Sequence, residues 1–211
     1  MALLAAAALL VAACSGSSRS ENVIKPVTAS LAIDTVTDST AVFFQRSTTL
    51  PPFPDFVMVD VMVRDAQQRT FDDLALEIRF DSTLVHVGSI DSATPLGTCT
   101  FDVSGCCTTS TSQVICCANV GSTCKDPANI SGDLLIGVTK PIGGISAPIS
   151  GDVKLLTLGF VATTVGHSQI FLVDSPAAGE CGILQDPGVG NDFVPLPIPC
   201  VSGNATITAI R

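Results

Sequence analysis

The chain has 211 residues, with 10 Lys and Arg against 19 Asp and Glu, a net charge of −9, and only 14% charged residues. Its basic residues are scattered singly, which excludes the clustered Lys and Arg that a phosphate backbone requires, so nucleic acid is not an expected partner. Val, Ile and Thr abound, glutamate is confined to Glu21, Glu77 and Glu180, Gly and Pro are frequent, and no segment sustains an apolar repeat of helical period, which together make a β composition.

The chain opens on Met1 to Ala13, a short apolar run that closes with Val11-Ala12-Ala13-Cys14 and passes at once into Ser15-Gly16-Ser17-Ser18. This junction resembles a bacterial lipoprotein signal. The resemblance implies a signal peptide over residues 1–13 that is cut before Cys14, with acyl chains on the cysteine and a mature protein held on a membrane by lipid. The leader itself is too short to span a bilayer as a helix, which takes about 20 apolar residues, and it lacks the positive segment with which export leaders begin. Ser15 after the cysteine resembles lipoproteins sorted onward, so the expected location is the outer membrane or cell surface. Residues 14–22 then form the lipidated cysteine and a small polar tether, and one folded domain is expected over residues 23–211.

Short extended segments follow. Ala29 to Asp34 and Thr40 to Arg46 are the first two, before Thr49-Leu50-Pro51-Pro52-Phe53-Pro54 breaks any ladder. Phe56 to Arg64 puts Val57, Val59, Val61 and Val63 on one face and Met58, Asp60, Met62 and Arg64 on the other, the pattern of a half-buried strand. Leu74, Leu76, Ile78 and Phe80 repeat it, with Ala75, Glu77 and Arg79 toward solvent. Leu84 to Ile90, Asp133 to Val138, the row Leu156, Leu158 and Phe160, then Ile170 and Leu172 after a turn at Thr164-Val165-Gly166-His167, and finally Ala205 to Ile210 complete about nine strands. Turns rich in Gly, Pro, Asp and Ser separate them, which indicates an antiparallel β-sandwich.

Of the nine cysteines, one is Cys14 and eight remain: Cys99, Cys106, Cys107, Cys116, Cys117, Cys124, Cys181 and Cys200. An even set of thiols in an exported chain reads as a disulfide framework. Cys181 and Cys200 bracket one loop, and the other six crowd into an insertion at 99–124. No Cys-x-x-Cys occurs there and neither His86 nor His167 falls within it, so a stapled loop is expected rather than a zinc or iron-sulfur site. Bridges would stabilise such a polar insertion by removing unfolded-state entropy worth roughly 2–4 kcal/mol each.

Three pieces, in this order, resemble the cohesin domain and its relatives in the carbohydrate-binding-module superfamily. They are Leu74 to Val87, a strand, an Asp-centred turn and a strand; Leu155 to Ala162 with Val165 to Leu172 close behind; and Gly203 to Thr208, placed like the family's last strand. With Val57 to Val63 they cover most of Ala29 to Arg211. The resemblance implies a jelly-roll sandwich of nine strands and a role in binding an extracellular protein or a polysaccharide. The Cys99 to Cys124 insertion is a departure from cohesins. Independently of any family, Asp81 and Ser82 suit a tight turn pinned by Phe80 and Leu84.

Catalytic chemistry has little to stand on. His86 lies in a predicted strand and His167 in a predicted turn, no Gly-x-Ser-x-Gly elbow occurs, and no glycosidase carboxylate pair can be located. The loop Asp186 to Asp192 offers Asp186, Asn191 and Asp192 as oxygen donors for calcium, without EF-hand spacing, and solvated turn residues are the preferred reading. Sugar platforms usually present Trp or Tyr, and this chain has neither. Phe43, Phe44, Phe53 and Phe56 beside the Pro-rich stretch are the remaining aromatic candidates for an exposed patch. The expectation is a non-catalytic, lipid-anchored module without cofactor, used for protein-protein adhesion or scaffolding. Polysaccharide binding is the alternative, and a secreted hydrolase with an unrecognised site comes third.

Overall fold

A computed structural model of the chain describes residues 26–94, 96–100, 113–116, 132–140, 145–174, 181–186 and 193–211. In chain order its strands are β1 (Thr28–Ile33), β2 (Ala41–Arg46), β3 (Phe56–Arg64), β4 (Thr70–Phe71), β5 (Asp73–Arg79), β6 (Val85–Thr94), β7 (Gly97–Thr100), β8 (Gln113–Cys116), β9 (Asp133–Thr139), β10 (Ala147–Pro148), β11 (Asp152–Ala162), β12 (Gly166–Val173), β13 (Ile183–Gln185), β14 (Val194–Pro195) and β15 (Ala205–Ile210). Among the described residues every regular element is a strand, and every strand pairing is antiparallel.

One sheet of five strands runs β2-β3-β11-β6-β7, and a second of eight contains β1-β15-β12-β5-β13-β14 with β9 and β8 beyond β5. Strands β12 and β13 share one edge of β5, the former against Glu77 to Arg79 and the latter against Asp73 and Leu74, while β9 pairs along its whole length. The two sheets close face to face over one core. Val57, Val59, Val61 and Val63 of β3 and Leu156, Leu158 and Phe160 of β11 meet Leu74, Leu76 and Ile78 of β5, Ile170 and Leu172 of β12, and Ala205 and Ile207 of β15. The alternation along β5, β12 and β15 therefore has the physical cause the sequence suggested: one face dry, one wet. Phe80 meets Phe160 edge to face at 5.4 Å between ring centroids and closes one end of the core.

The sandwich has two distinct poles. At the first, the start of β1 meets the loop between β2 and β3, since Ala29 N–H donates to the Pro54 carbonyl at 2.8 Å, and the end of β11 joins the same loop through Ala162 N–H to the Asp55 carbonyl at 2.8 Å. At the other pole, residues 199–201 cover the free edge of β2, with Val42 donating to Pro199 and Val201 donating to Val42. Cys181 and Cys200 are joined there by a disulfide. Asn204, buried, binds both backbone groups of Phe44, accepting from its N–H at 3.2 Å and donating to its carbonyl at 2.9 Å, so one side chain ties the start of β15 to β2 in the opposite sheet. Gly203 turns the chain into this position at a φ of 73°.

Three sequence expectations change. Strand β3 is buried on both faces and not half-buried: Met58, Asp60 and Met62 are only 7%, 7% and 8% exposed, because β2 and β11 flank it and residues distant in sequence cover it. Gly166 and His167 begin β12 and are not in a turn, pairing with Ala209 and Thr208. The 99–124 segment is not wholly loop, because β7 ends and β8 begins inside a longer excursion that leaves the edge of the five-stranded sheet and rejoins the edge of the eight-stranded one.

Candidate binding face

The outward side of the five-stranded sheet is unlike the outward side of its partner. Where β12 and β15 present alternately buried and accessible residues, the central outward positions of β2, β3 and β11 are almost dry. Thr157 is 3% exposed and its hydroxyl donates to Asp60 Oδ1 at 2.6 Å, so a carboxylate is held in place inside a strand otherwise made of Val, Met, Phe and Arg. In ladder register Gln45, Asp60, Thr157 and Asp91 form one row across four strands. Gln45 and Asp91 are exposed at its ends, while Asp60 and Thr157 between them are buried.

The surface on either side of that row is flat for identifiable reasons. The Phe56 ring lies across Gly88 and Gly159, where a Cβ on Gly88 would stand 2.5 Å from Phe56 Cζ and 2.7 Å from Val161 Cγ2, so only glycines admit it. Gly88 is also the residue skipped where the β6 register slips against β11. Toward the other pole Ala41, Phe43 and Met62 form a small apolar cluster roofed by Val36 and Val201. The Arg64 guanidinium sits 5.0 Å from the Phe43 ring centroid and is anchored by Asp152 at 2.5 Å and by the Asp38 carbonyl at 2.8 Å. The Asp152 side chain in return holds the Arg64 pKa raised, while Arg64 holds the Asp152 carboxyl below its usual range.

A second polar cluster lies at the pole opposite the start of β1. Asp72, fully buried, accepts from Lys140 Nζ at 2.6 Å, from the Ser146 hydroxyl at 2.5 Å and from Asp186 N–H at 2.8 Å. Burial alone would push its carboxyl up, but these donors outweigh burial and hold the pKa below the ordinary value. The cluster clips three chain segments together. It also occupies Asp186, the one calcium candidate that is described: its carboxylate faces the Lys140 ammonium at 3.9 Å. Asn191 and Asp192 lie outside the described residues, and among the described residues no group of three or more His, Cys, Asp or Glu is arranged to hold a metal ion.

The other predicted positions fall as follows. Cys14, Cys106, Cys107, Cys117 and Cys124 lie outside the described residues, and Cys99 and Cys116 fall on β7 and β8. His86 lies on β6, and His167 is exposed with Nδ1 2.9 Å from the Thr208 hydroxyl oxygen, so the two histidines share no site. Asp81 is a turn residue, its Oδ1 accepting from Thr83 N–H at 2.9 Å and Thr83 Oγ1 at 2.6 Å, which lowers its pKa. Of the four phenylalanines beside the Pro-rich stretch, Phe43 and Phe44 are buried, Phe56 is half-buried, and Phe53 alone is exposed. The row through Asp60 was missed in sequence, although an acid in the middle of a Val/Met strand was a signal for it. Among the described residues no helix is long and apolar enough to cross a membrane.

No family model matches the sequence, and no curated protein matches it. Solved structures do match. The second type II cohesin module from the adaptor ScaA scaffoldin of Acetivibrio cellulolyticus superposes with a TM-score of 0.50 over 81% of this chain and 91% of that one, at 9% identity. The fold is cohesin-like. A type II cohesin domain from the cellulosome of the same organism gives 0.49 at 9% identity, over 80% and 95% of the two chains. CaCohA2 from Clostridium acetobutylicum gives 0.44 at 19% identity, over 79% and 90%. At such identities the likeness is one of architecture, so the cohesin-like sandwich is the scaffold on which the outward row of the five-stranded sheet is displayed.

Proposed function

We propose that this protein is a non-catalytic, lipid-anchored extracytoplasmic binding module that docks a protein partner for adhesion or scaffolding. The observation that carries the reading is the outward face of the five-stranded sheet: closely packed and nearly dry at its centre, with Gln45 and Asp91 exposed at the ends of the row they form with Asp60 and Thr157. Such a surface gives a partner little conformational entropy to remove. Gln45 and Asp91, exposed at the ends of the row, fit a partner that brings hydroxyl or cationic donors, and the chain's charge of −9 favours encounter with a basic surface. The cohesin-like fold supports the reading, since one solved relative in fold is a cohesin from Clostridium thermocellum seen in a cohesin-dockerin complex.

Lipidation at Cys14 and display at the outer membrane or cell surface rest on the lipoprotein-like junction at Ala13 and Cys14. The test is affinity capture from extracytoplasmic proteins by the wild-type domain and by a Gln45→Arg/Asp91→Arg variant, whose exposed substitutions leave the core untouched. Capture by the wild type and its loss in the variant is the expected result. Equal capture by both would remove the face from the account, and retention on a polysaccharide gel without any protein partner would replace the partner class.

A further inference from the structure

The large exposed apolar side chains of the described residues gather mostly at the two poles of the sandwich. Leu50, Phe53, Val165 and Ile210 are 86%, 63%, 46% and 59% exposed, and all four lie at the pole where β1 begins. Strand register puts them side by side. Thr28, the first residue of β1, is opposite Ile210; Gly166, next to Val165, is opposite Ala209; and on the other flank of β1 the Pro54 carbonyl accepts from Ala29 N–H. The most prominent part is the loop from Ser47 to Pro54, which carries no charged residue in a chain of net charge −9. Arg46 and Asp55 flank the loop and Arg211 follows Ile210; of the charged groups at this pole, Arg46 donates to the Leu31 carbonyl and the Asp81 carboxylate is satisfied by Thr83. The other strongly exposed residues, Ile145 and Val194, belong to the opposite pole with Phe193, and Phe171 lies on the outer side of the eight-stranded sheet.

We infer that this pole docks on the lipid surface to which the chain is anchored, with Leu50 and Phe53 entering the headgroup layer. The inference rests on the reading of Cys14 as the lipidated residue, and the chain length between Cys14 and Thr28 supplies the geometry. Fourteen peptide steps reach at most roughly 50 Å when fully extended. The opposite pole lies a further strand length away, about 35 Å for the eleven residues of β11. As the polar tether expected from the sequence, fourteen steps would span roughly 20 Å on average, so the pole from which the tether leaves, which carries Leu50 and Phe53, is the one held nearest the lipid. Apolar and aromatic side chains on an uncharged loop suit the interfacial layer, and they would fix the orientation of a domain that the acyl chains on Cys14 hold only by its tether.

The absence of Trp and Tyr from the chain makes the test clean. The full chain is produced with its leader in an exporting bacterium as single-Trp variants Phe53→Trp and Phe193→Trp, and Cys14 acylation is read from the intact mass. The purified proteins are then reconstituted in phosphatidylethanolamine/phosphatidylglycerol vesicles carrying brominated acyl chains. The expected result is an acyl mass, a blue-shifted Phe53→Trp emission, and quenching several-fold stronger than for Phe193→Trp. Adding Leu50→Asp, on a side chain that packs against nothing, lowers the Phe53→Trp quenching. An acylated protein with equal quenching at both poles overturns the docking inference and leaves the anchor standing. A protein without acyl mass overturns the anchor and this inference with it. Protection of Phe53→Trp by a protein partner in solution, with no quenching by lipid, would give the tip to that partner and also overturn it.

Discussion

The single carboxylates of this fold carry its response to acid. Asp65 sits in the turn after β3, its oxygens accepting from the Arg69 guanidinium at 2.8 and 3.0 Å and from the backbone N–H of Gln67 and Arg69, and the Arg69 bonds lead in lowering its pKa. Asp72 and Asp152 are lowered as well. A carboxyl with a depressed folded pKa contributes stability that is present above its unfolded value, about 3.9, and is lost as pH falls through the folded value. Urea midpoints are therefore expected to be level from about pH 5 upward and to drop below about pH 4. Asp72→Asn lowers stability at neutral pH and makes that drop shallower. Lys140→Ala, which leaves Asp72 buried without its counter-charge, costs about 3–5 kcal/mol by the same denaturation measurement. Asn204→Ala leaves the Phe44 N–H and carbonyl unsatisfied in the interior and costs about 1–3 kcal/mol. Apart from the local Asp65–Arg69 pair, these partners are distant in sequence: Asp72 meets Ser146 and Asp186, and Phe44 meets Asn204, so composition could name the residues and not their roles.

Elements differ in how much of them could be read from the chain. Strands β3, β5 and β15 follow the expected segments closely because alternate positions repeat over six or more residues, and β9 follows its segment although Leu134, Leu135 and Ile136 run together. β11 and β6 run longer than their alternation suggests, since bulges interrupt the period at Leu155, between Lys154 and Leu156, and at Gly88. β4, β10 and β14, of two residues each, have no period to detect. The outward face of β3 was hidden for another reason: what dries it is Thr157, Phe56, Val36 and Val201, brought there by tertiary structure. That face supplies an element-scale prediction. Gly159→Ala would drive a methyl into Ser89 and Phe56, so it costs about 1–3 kcal/mol and lifts the ring off the sheet. Calorimetry gives the first effect. Loss of the ring-current shifts at residues 88 and 159 in NMR spectra gives the second.

At the scale of the whole molecule, one sandwich holds the two proposed contact surfaces and is braced by a disulfide at one pole. The Cys181–Cys200 bridge closes a loop of sequence separation 19 against the segment that seals the β2 edge. Its removal by Cys181→Ser/Cys200→Ser is expected to cost about 2–4 kcal/mol and to lower the melting temperature without abolishing the fold, because the core of both sheets is independent of it. Layer number and antiparallel pairing were legible from alternation. Sheet order was not, since β5 shares one edge between β12 and β13 and only the closed structure decides that. The central claim, that the five-stranded face receives a protein partner, is tested most directly by site-specific photo-cross-linking in cells that export the chain. A photoreactive residue at Gln45 or Asp91 is predicted to capture a defined extracytoplasmic protein, while the same residue at Gln169, exposed on the opposite sheet, captures none. Capture from Gln169 with silence at Gln45 and Asp91 would contradict the account.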